Sequence, residues 1–453
     1  MKVKRKGALR GEKTRRARRK NKTKRSIHGG KAIDSGGYGC VFQPALKCKS
    51  LNPNSMIQSN ILSQNTKNIS KLMSEQDAKE EYAILQKFAN IINNSGKRGM
   101  FRFMVLSGIT MCQVSPTQDD MNEYNKNCGR LVEKNGVNNI SGLVALNIPY
   151  AGKNLLKMFN ELRLQNSPLN KRITVEYFEK MRRLFQGGVL LLYETTPKII
   201  HGDLKEENIL CQYNETFTTI YDEIKLIDWG LSFTYDERNN PQEAIRQLSR
   251  RPLQFNLPFG ILLFSEYFYR EYTSRVLTPL RNNPNGLRDL VTRFCDSYYN
   301  DSFFTNGKDD SKPNVLKDFY NFVYVVMGEA DNSILRLSLT SYIRINLSKI
   351  LIKYTRNGIF DKQAYAYEYY LPMVDTYGFI LTYGNVLSYL LHARKNSLRT
   401  TNQQNITRLI LSITNQLKVY CLEFDERIDG NAYRRKVSQS INETTNLCIE
   451  LLK

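Results

Sequence analysis

No stretch of the 453 residues approaches the ~18 consecutive apolar residues of a membrane span. The apolar piece Phe255 to Phe268 is interrupted by Asn256, Pro258, Ser265 and Glu266. Histidine is scarce, and the eight cysteines form no Cys-x-x-Cys pair and no Cys/His cluster, which argues against a zinc site. No apolar signal segment opens the chain. Cys40, Cys48, Cys112, Cys128, Cys211, Cys295, Cys421 and Cys448 are therefore expected to be free thiols in a reducing, intracellular compartment, and sequons such as Asn68-Ile69-Ser70 to be chance matches. Acidic residues are in deficit, 43 against 66 Lys and Arg, and the deficit is concentrated. Residues 1–31 hold fifteen Lys or Arg and one acid, Glu12, a net +14 of the chain's +23. The blocks Arg15-Arg16-Ala17-Arg18-Arg19-Lys20 and Lys22-Thr23-Lys24-Arg25 show no apolar periodicity and read as a disordered basic tail. Such a tail is either simply solvated or an arm for nucleic acid, nuclear import or an acidic partner. It carries no aromatic residue, so contact with nucleic acid would be to phosphates rather than by stacking.

The rest of the chain is of a different kind. A hydrophobic content of 41% with 11% aromatics supports a real core, and the length allows one large two-lobed domain or two to three smaller ones. Its most informative stretch is His201-Gly202-Asp203-Leu204-Lys205-Glu206-Glu207-Asn208-Ile209-Leu210, followed by Ile227-Asp228-Trp229-Gly230. Two carboxylates, an amide and a lysine stand on short loops between apolar, strand-like runs. Phosphoryl transfer from ATP asks for that set, because its chemistry is mostly positioning and charge neutralisation. Asp203 can accept the proton of an incoming hydroxyl, and Lys205 can steady the migrating phosphoryl group. Asn208 and Asp228 offer the hard oxygen ligands that Mg²⁺ prefers. The competing reading is a chance pair of surface turns.

These two loops resemble the catalytic loop and the magnesium loop of protein kinases, and other stretches fall in the same order. Ile33-Asp34-Ser35-Gly36-Gly37-Tyr38-Gly39-Cys40-Val41-Phe42 resembles the glycine-rich hairpin that covers the nucleotide phosphates, with Asp34 where the first glycine would be. The resemblance implies ATP contacts from Ile33, Gly36, Gly37, Tyr38, Gly39 and Val41. Asn52 to Asn68 reads as a polar insertion. Lys71, in Ile69-Ser70-Lys71-Leu72, matches the strand lysine on the α and β phosphates, with Lys47 and Lys49 as rivals. Glu81, next to Glu80 on a helical pattern from Glu75 to Ile92, matches the glutamate that fixes that lysine. Phe101 to Met111 and Leu143 to Tyr150 read as strands around a polar excursion, Ser115 to Asn139. Pro149-Tyr150-Ala151-Gly152 resembles the adenine hinge, implying contacts from Pro149 and Ala151, with Ile148 at the pocket's back wall.

Val175 to Leu192 is a strong helical pattern leading into Ile199-Ile200. Gly230 to Pro258 has the length of an activation segment, and Leu257-Pro258-Phe259 resembles its closing motif without the terminal glutamate. Asp375-Thr376-Tyr377-Gly378-Phe379 resembles the start of the central helix of the large lobe. Glu266 to Leu371 is an insertion by family standards, with helical pieces at Leu316 to Met327 and Ile334 to Leu351. Ile406 to Leu422 and Val437 to Leu452 read as closing helices.

The fold expected is thus α+β, a bilobal protein-kinase-like fold with a small β-rich N-lobe over 32–150 and a large helical C-lobe over 151–453. The hairpin with Pro44 and Cys48 after it is most similar to the serine/threonine-protein kinases of large nucleocytoplasmic DNA viruses. That implies ATP- and Mg²⁺-dependent transfer to Ser or Thr of a protein substrate, in the host cytoplasm and possibly the virion. His201-Gly202 and Trp229 also resemble the small-molecule phosphotransferases of aminoglycosides or choline, whereas Lys205 and Asp375-Thr376-Tyr377-Gly378 favour the protein kinases. A pseudokinase scaffold is the non-enzymatic alternative, opposed by Lys71, Asp203, Asn208 and Asp228. Kinases switched on by loop phosphorylation usually place an arginine between the catalytic His and Asp. Here Gly202 stands there, and an enzyme active as synthesised is expected, although Ser249 lies beside Arg250 and Arg251.

Overall fold

The computed structural model describes residues 30–36, 39–49, 68–129, 131, 140–165, 168–236, 241–251, 253–298, 332–397, 400–422, 425 and 427–453. Nearly all of the basic tail, Gly37 and Tyr38 of the hairpin, nearly all of the 52–68 insertion and the Leu316 to Met327 helix lie outside the described residues. The fold is α+β, with small antiparallel sheets and a majority of helix. The chain divides into two compact units, 1–74 with 112–145, and 75–111 with 146–453.

In the smaller unit, β1 (Lys31–Gly36) and β2 (Gly39–Gln43) form an antiparallel hairpin bulged between Ala32 and Asp34, and β3 (Asn68–Met73) pairs antiparallel with β2. Beyond β3 comes helix α1 (Glu75–Asn94), which belongs to the larger unit. It carries Glu75 and Asp77 in its first turn, where the helix dipole favours acids, and buries Ala78, Leu85, Phe88, Ile91 and Ile92 at helical spacing. The strand expected over Phe101 to Met111 is instead a 3₁₀ turn, Arg98–Phe103, followed by the short strand β4 (Thr110–Gln113). The turn puts Met100 and Phe103, three residues apart, on one buried face, which a strand would not. The polar excursion holds helix α2 (Gln118–Asn127), started by a capping box in which Thr117 and Asp120 bond reciprocally. Strand β5 (Val144–Pro149) follows, beginning in the smaller unit and ending in the larger.

The expectation of eight free thiols fails for four of them. Cys40 pairs with Cys128 and Cys48 with Cys112, with Cα atoms 5.7 and 5.6 Å apart. Folding brings together residues 88 and 64 positions apart in the chain, which local spacing cannot reveal. Such cross-links belong to oxidising conditions rather than to the reducing compartment expected. Cys40 and Cys128 lie in the unit's own core with Phe42, Leu72, Val114 and Tyr124. Cys211, Cys295, Cys421 and Cys448 are free.

The larger unit continues with β6 (Lys153–Asn154), α3 (Leu155–Leu164) capped by Asn154, and α4 (Lys171–Leu184) capped by Asn170. Helix α4 runs on through a π turn, Phe185–Val189, to Leu192. Next come β7 (Lys198–Ile200), β8 (Ile209–Tyr213), β9 (Ile220–Leu226) and β10 (Phe233–Tyr235), then α5 (Pro241–Ser249) within the 230–258 segment. The 266–371 stretch contains α6 (Glu266–Tyr272), α7 (Leu287–Tyr298) and α8 (Asn332–Tyr354). Helix α9 (Leu371–Leu381) does not begin at Asp375. It continues a helical run that starts at Lys362 under the Asp361 cap, so Asp375 lies inside the helix. Helices α10 (Tyr383–Lys395), α11 (Thr400–Leu417) and α12 (Gly430–Leu452) close the chain. Phe185 packs against Phe379 with ring centroids 4.9 Å apart, and Arg182 and Gln186 bond Asn446 and Asn442, so α4, α9 and α12 form one packed body. Among the described residues no helix is long and apolar enough to cross a membrane.

Candidate active site

Two strand pairs carry the two motif loops. Strand β7 ends at Ile200, paired antiparallel with Phe233 of β10, and His201 follows at once. Strands β8 and β9 pair antiparallel, so Asn208 and Ile227 meet at one end of the hairpin, where the Ile227 N–H donates to Asn208 O at 3.0 Å. The catalytic-loop and metal-loop candidates are thus adjacent by strand register.

Asp203 is almost fully buried, and both of its oxygens are held. Lys205 Nζ donates to Oδ2 at 2.9 Å, and Asn208 Nδ2 donates to the same oxygen at 3.0 Å and to the Asp203 carbonyl at 2.8 Å. Asn256 Nδ2 donates to Oδ1 at 2.9 Å. Each carboxylate oxygen can accept more than one bond, so Oδ1 keeps a lone pair with which it can accept another donor. Burial opposes the charge of Lys205. The hydrogen bond and charge of Asp203, with the carboxylates of Glu207 and Asp228, more than offset it and push the ammonium above its usual range.

Asn208 spends its Nδ2 protons on Asp203, which leaves Oδ1 as an acceptor. Asp228 is exposed and sits at φ 65°, a left-handed conformation uncommon outside glycine. Among the described residues no group of three or more His, Cys, Asp or Glu side chains is placed to hold a metal. Asn208 and Asp228 are the residues that could hold one. Two oxygen donors suit Mg²⁺, which keeps several waters and binds substrate phosphates, better than they suit zinc. Trp229, by contrast, is buried between the rings of His201 at 4.8 Å and Phe88 at 5.5 Å, and His201 Nε2 lies 3.1 Å from Ile227 O. Aromatic packing therefore fixes the backbone on either side of the exposed carboxylate.

Helix α9 supports the loop from below. Asp375 Oδ2 accepts from His201 N and Oδ1 from Gly202 N, both at 2.8 Å. Burial pushes the Asp375 carboxyl up, while His201, these two N–H bonds and Arg251 work in the opposite direction. Gly378, one turn further on, lets the helix approach: a Cβ there would fall 2.5 Å from Leu204 O.

The expected hinge and nucleotide residues are placed as follows. Pro149 ends β5, Ala151 is buried, and the Tyr150 carbonyl accepts from Gln212 Nε2 at 3.0 Å. Gly152 has φ 106°, and a Cβ there would strike Cys211 O at 2.0 Å, so no other residue fits. Glu81 is half-buried on α1, whereas Glu80 is exposed and bonds Gln76. In the smaller unit, Lys71 lies opposite Val41 on β3, and its Cγ and Cε atoms lie 3.3 Å from where a Gly39 Cβ would be. The lysine stem therefore runs beside the glycine hairpin, while the rivals Lys47 and Lys49 are exposed and lie off the strand. Ile33 is exposed on β1, Gly36 ends that strand, and Asp34 accepts from Ser35 N at 2.8 Å.

Sequence reasoning missed Asn256 as part of the site. Its one signal was a lone amide inside the apolar Phe255 to Leu257 run, and burial there requires a partner. Asp375 was singled out, but not as the acceptor for the loop. Compared with protein-family models and with curated proteins, the chain matches none.

Proposed function

We propose that the chain is an ATP- and Mg²⁺-dependent protein kinase that transfers the γ-phosphate to Ser or Thr hydroxyls. The observation that carries this reading is the Asp203 carboxylate, oriented by Lys205, Asn208 and Asn256 on a loop whose backbone N–H groups are gripped by Asp375. Asp203 accepts the hydroxyl proton as the new P–O bond forms and the bond from the γ-phosphorus to the β–γ bridging oxygen breaks, leaving ADP, and Lys205 offsets charge on the transferring group. Mg²⁺, held by Asn208 and Asp228, would neutralise the nucleotide phosphates. Lys71 and the β1–β2 hairpin take the α and β phosphates, and the 149–152 backbone takes the adenine. The two-lobed kinase reading of the two units, and the viral class of kinases, belong to the same proposal. Gly202 and Trp229 keep a small-molecule phosphotransferase as a second reading.

Incubation with γ-labelled ATP, Mg²⁺, a generic basic protein and a panel of small hydroxyl compounds separates these. Label on Ser or Thr of the protein supports the proposal. Label on a small alcohol alone supports the second reading, and no transfer to any acceptor removes both.

A further inference from the structure

Gly202 occupies the position where loop-phosphorylated kinases usually carry an arginine, yet a guanidinium is present there. It comes from Arg251, just past the end of α5. Arg251 Nη2 donates to Leu231 O, and Nη1 lies 3.5 Å from Gly202 O. Gly202 makes the room: at φ 72° a Cβ would stand 2.8 Å from Arg251 Nη2 and 3.2 Å from Leu231 O. Both backbone groups of Gly202 are therefore engaged, its N–H by Asp375 and its carbonyl by the longer contact to Arg251. Leu231 follows the Asp228-Trp229-Gly230 turn, so one side chain spans the loop that carries the base and the loop that carries the metal ligand. Burial lowers the Arg251 guanidinium, and the Asp203, Tyr370 and Asp375 groups favour its charged form. The segment around it has further anchors of its own. Ser232 Oγ donates to His201 O at 2.9 Å, Thr234 accepts from Lys87 Nζ at 3.0 Å, and Ala244 and Leu248 of α5 are buried.

We infer that Arg251 is a positioning residue for phosphoryl transfer, a cation supplied by the activation segment to the catalytic loop in place of the arginine that Gly202 lacks. The usual polarity is reversed. Instead of a loop arginine waiting for a phosphate on the segment, the segment brings the arginine and the loop offers carbonyls. Neutral acceptors need no modification, so the two loops are aligned in the protein as synthesised. This inference rests on the kinase reading of the site.

The test compares wild type, Arg251→Gln, Arg251→Lys and Asp203→Asn in the full chain, with a protein substrate and Mg-ATP, before and after phosphatase treatment. Arg251→Gln is expected to lower kcat roughly 10–100-fold, the scale of a small misplacement of reacting groups, with the ATP KM within about twofold. Arg251→Lys, which can reach a carbonyl with one ammonium, should recover part of the loss. Hydrogen exchange over 201–203 and 228–232 should rise in Arg251→Gln and less in Arg251→Lys. Phosphatase treatment should leave the wild-type rate unchanged. A wild-type kcat in Arg251→Gln, while Asp203→Asn is strongly impaired, overturns the inference and leaves the kinase reading standing. Loss of wild-type activity on phosphatase treatment also overturns it, as does a loss in Arg251→Gln shared equally by kcat and thermal stability with no recovery in Arg251→Lys. A wild type with no transfer to any acceptor removes the kinase reading itself, and the inference with it.

Discussion

The carboxylate of Asp375 accepts the Gly202 N–H at 2.8 Å across 173 residues of chain, and the same carboxylate accepts the His201 N–H. Removing it leaves two buried donors without a partner, at roughly 1–3 kcal/mol each. Asp375→Ala should therefore lower the unfolding free energy by a few kcal/mol and reduce phosphoryl transfer in the protein that remains folded. Denaturant unfolding monitored alongside transfer checks both. Unchanged values would mean that the loop is held by other contacts.

Glu206 provides a pH test of the loop's electrostatics. Burial, followed by the charge of Glu207, raises its carboxyl above the ordinary value. A group raised in the folded state is ionised more easily in the unfolded chain. Folding stability then falls as pH rises from below about 4.3 through the folded value, and stays reduced above it. Glu206→Gln abolishes this loss. The Tm of Glu206→Gln should exceed that of wild type at neutral pH, and the gap should close below about pH 4.3. A gap that grows on acidification would have the wrong sign.

The disulfides make a separate claim about the smaller unit. Each closes a long loop, and the chain-entropy relation gives about 4–5 kcal/mol for loops of that length. Peptide mapping without reductant should recover Cys40–Cys128 and Cys48–Cys112, and reductant should lower the first unfolding transition. Four free thiols among these positions in protein prepared under oxidising conditions would contradict the pairing.

How much of this was legible depends on whether the physics is local. The 201–208 loop stood out because a carboxylate, a lysine and an amide, Asp203, Lys205 and Asn208, fall within a few residues of one another, and β7 and β8 are visible as apolar runs. The hairpin turn was legible in the placement of Gly36, Gly37 and Gly39 and helix α1 in the spacing of Ala78, Leu85 and Phe88, whereas Lys71 was singled out only by its resemblance to the kinase strand lysine. What was missed is long-range. Asn256 reaches Asp203 over 53 residues, and Arg251 reaches Gly202 over 49. A side chain's partner at that distance is set by packing, which periodicity does not report. The 98–103 turn was misread because Phe101-Arg102-Phe103 alternates like a strand, whereas the core takes Met100 and Phe103.

Single-turnover transfer by Asp203→Asn, with ATP binding measured separately on the same protein, decides whether Asp203 is the base of a phosphoryl transfer. If Asp203 is that base, the transfer rate falls by ~10²–10⁴ with nucleotide affinity little changed, whereas Asp228→Asn should weaken Mg-ATP binding and transfer together. An Asp203→Asn protein that transfers phosphate at the wild-type rate would contradict it.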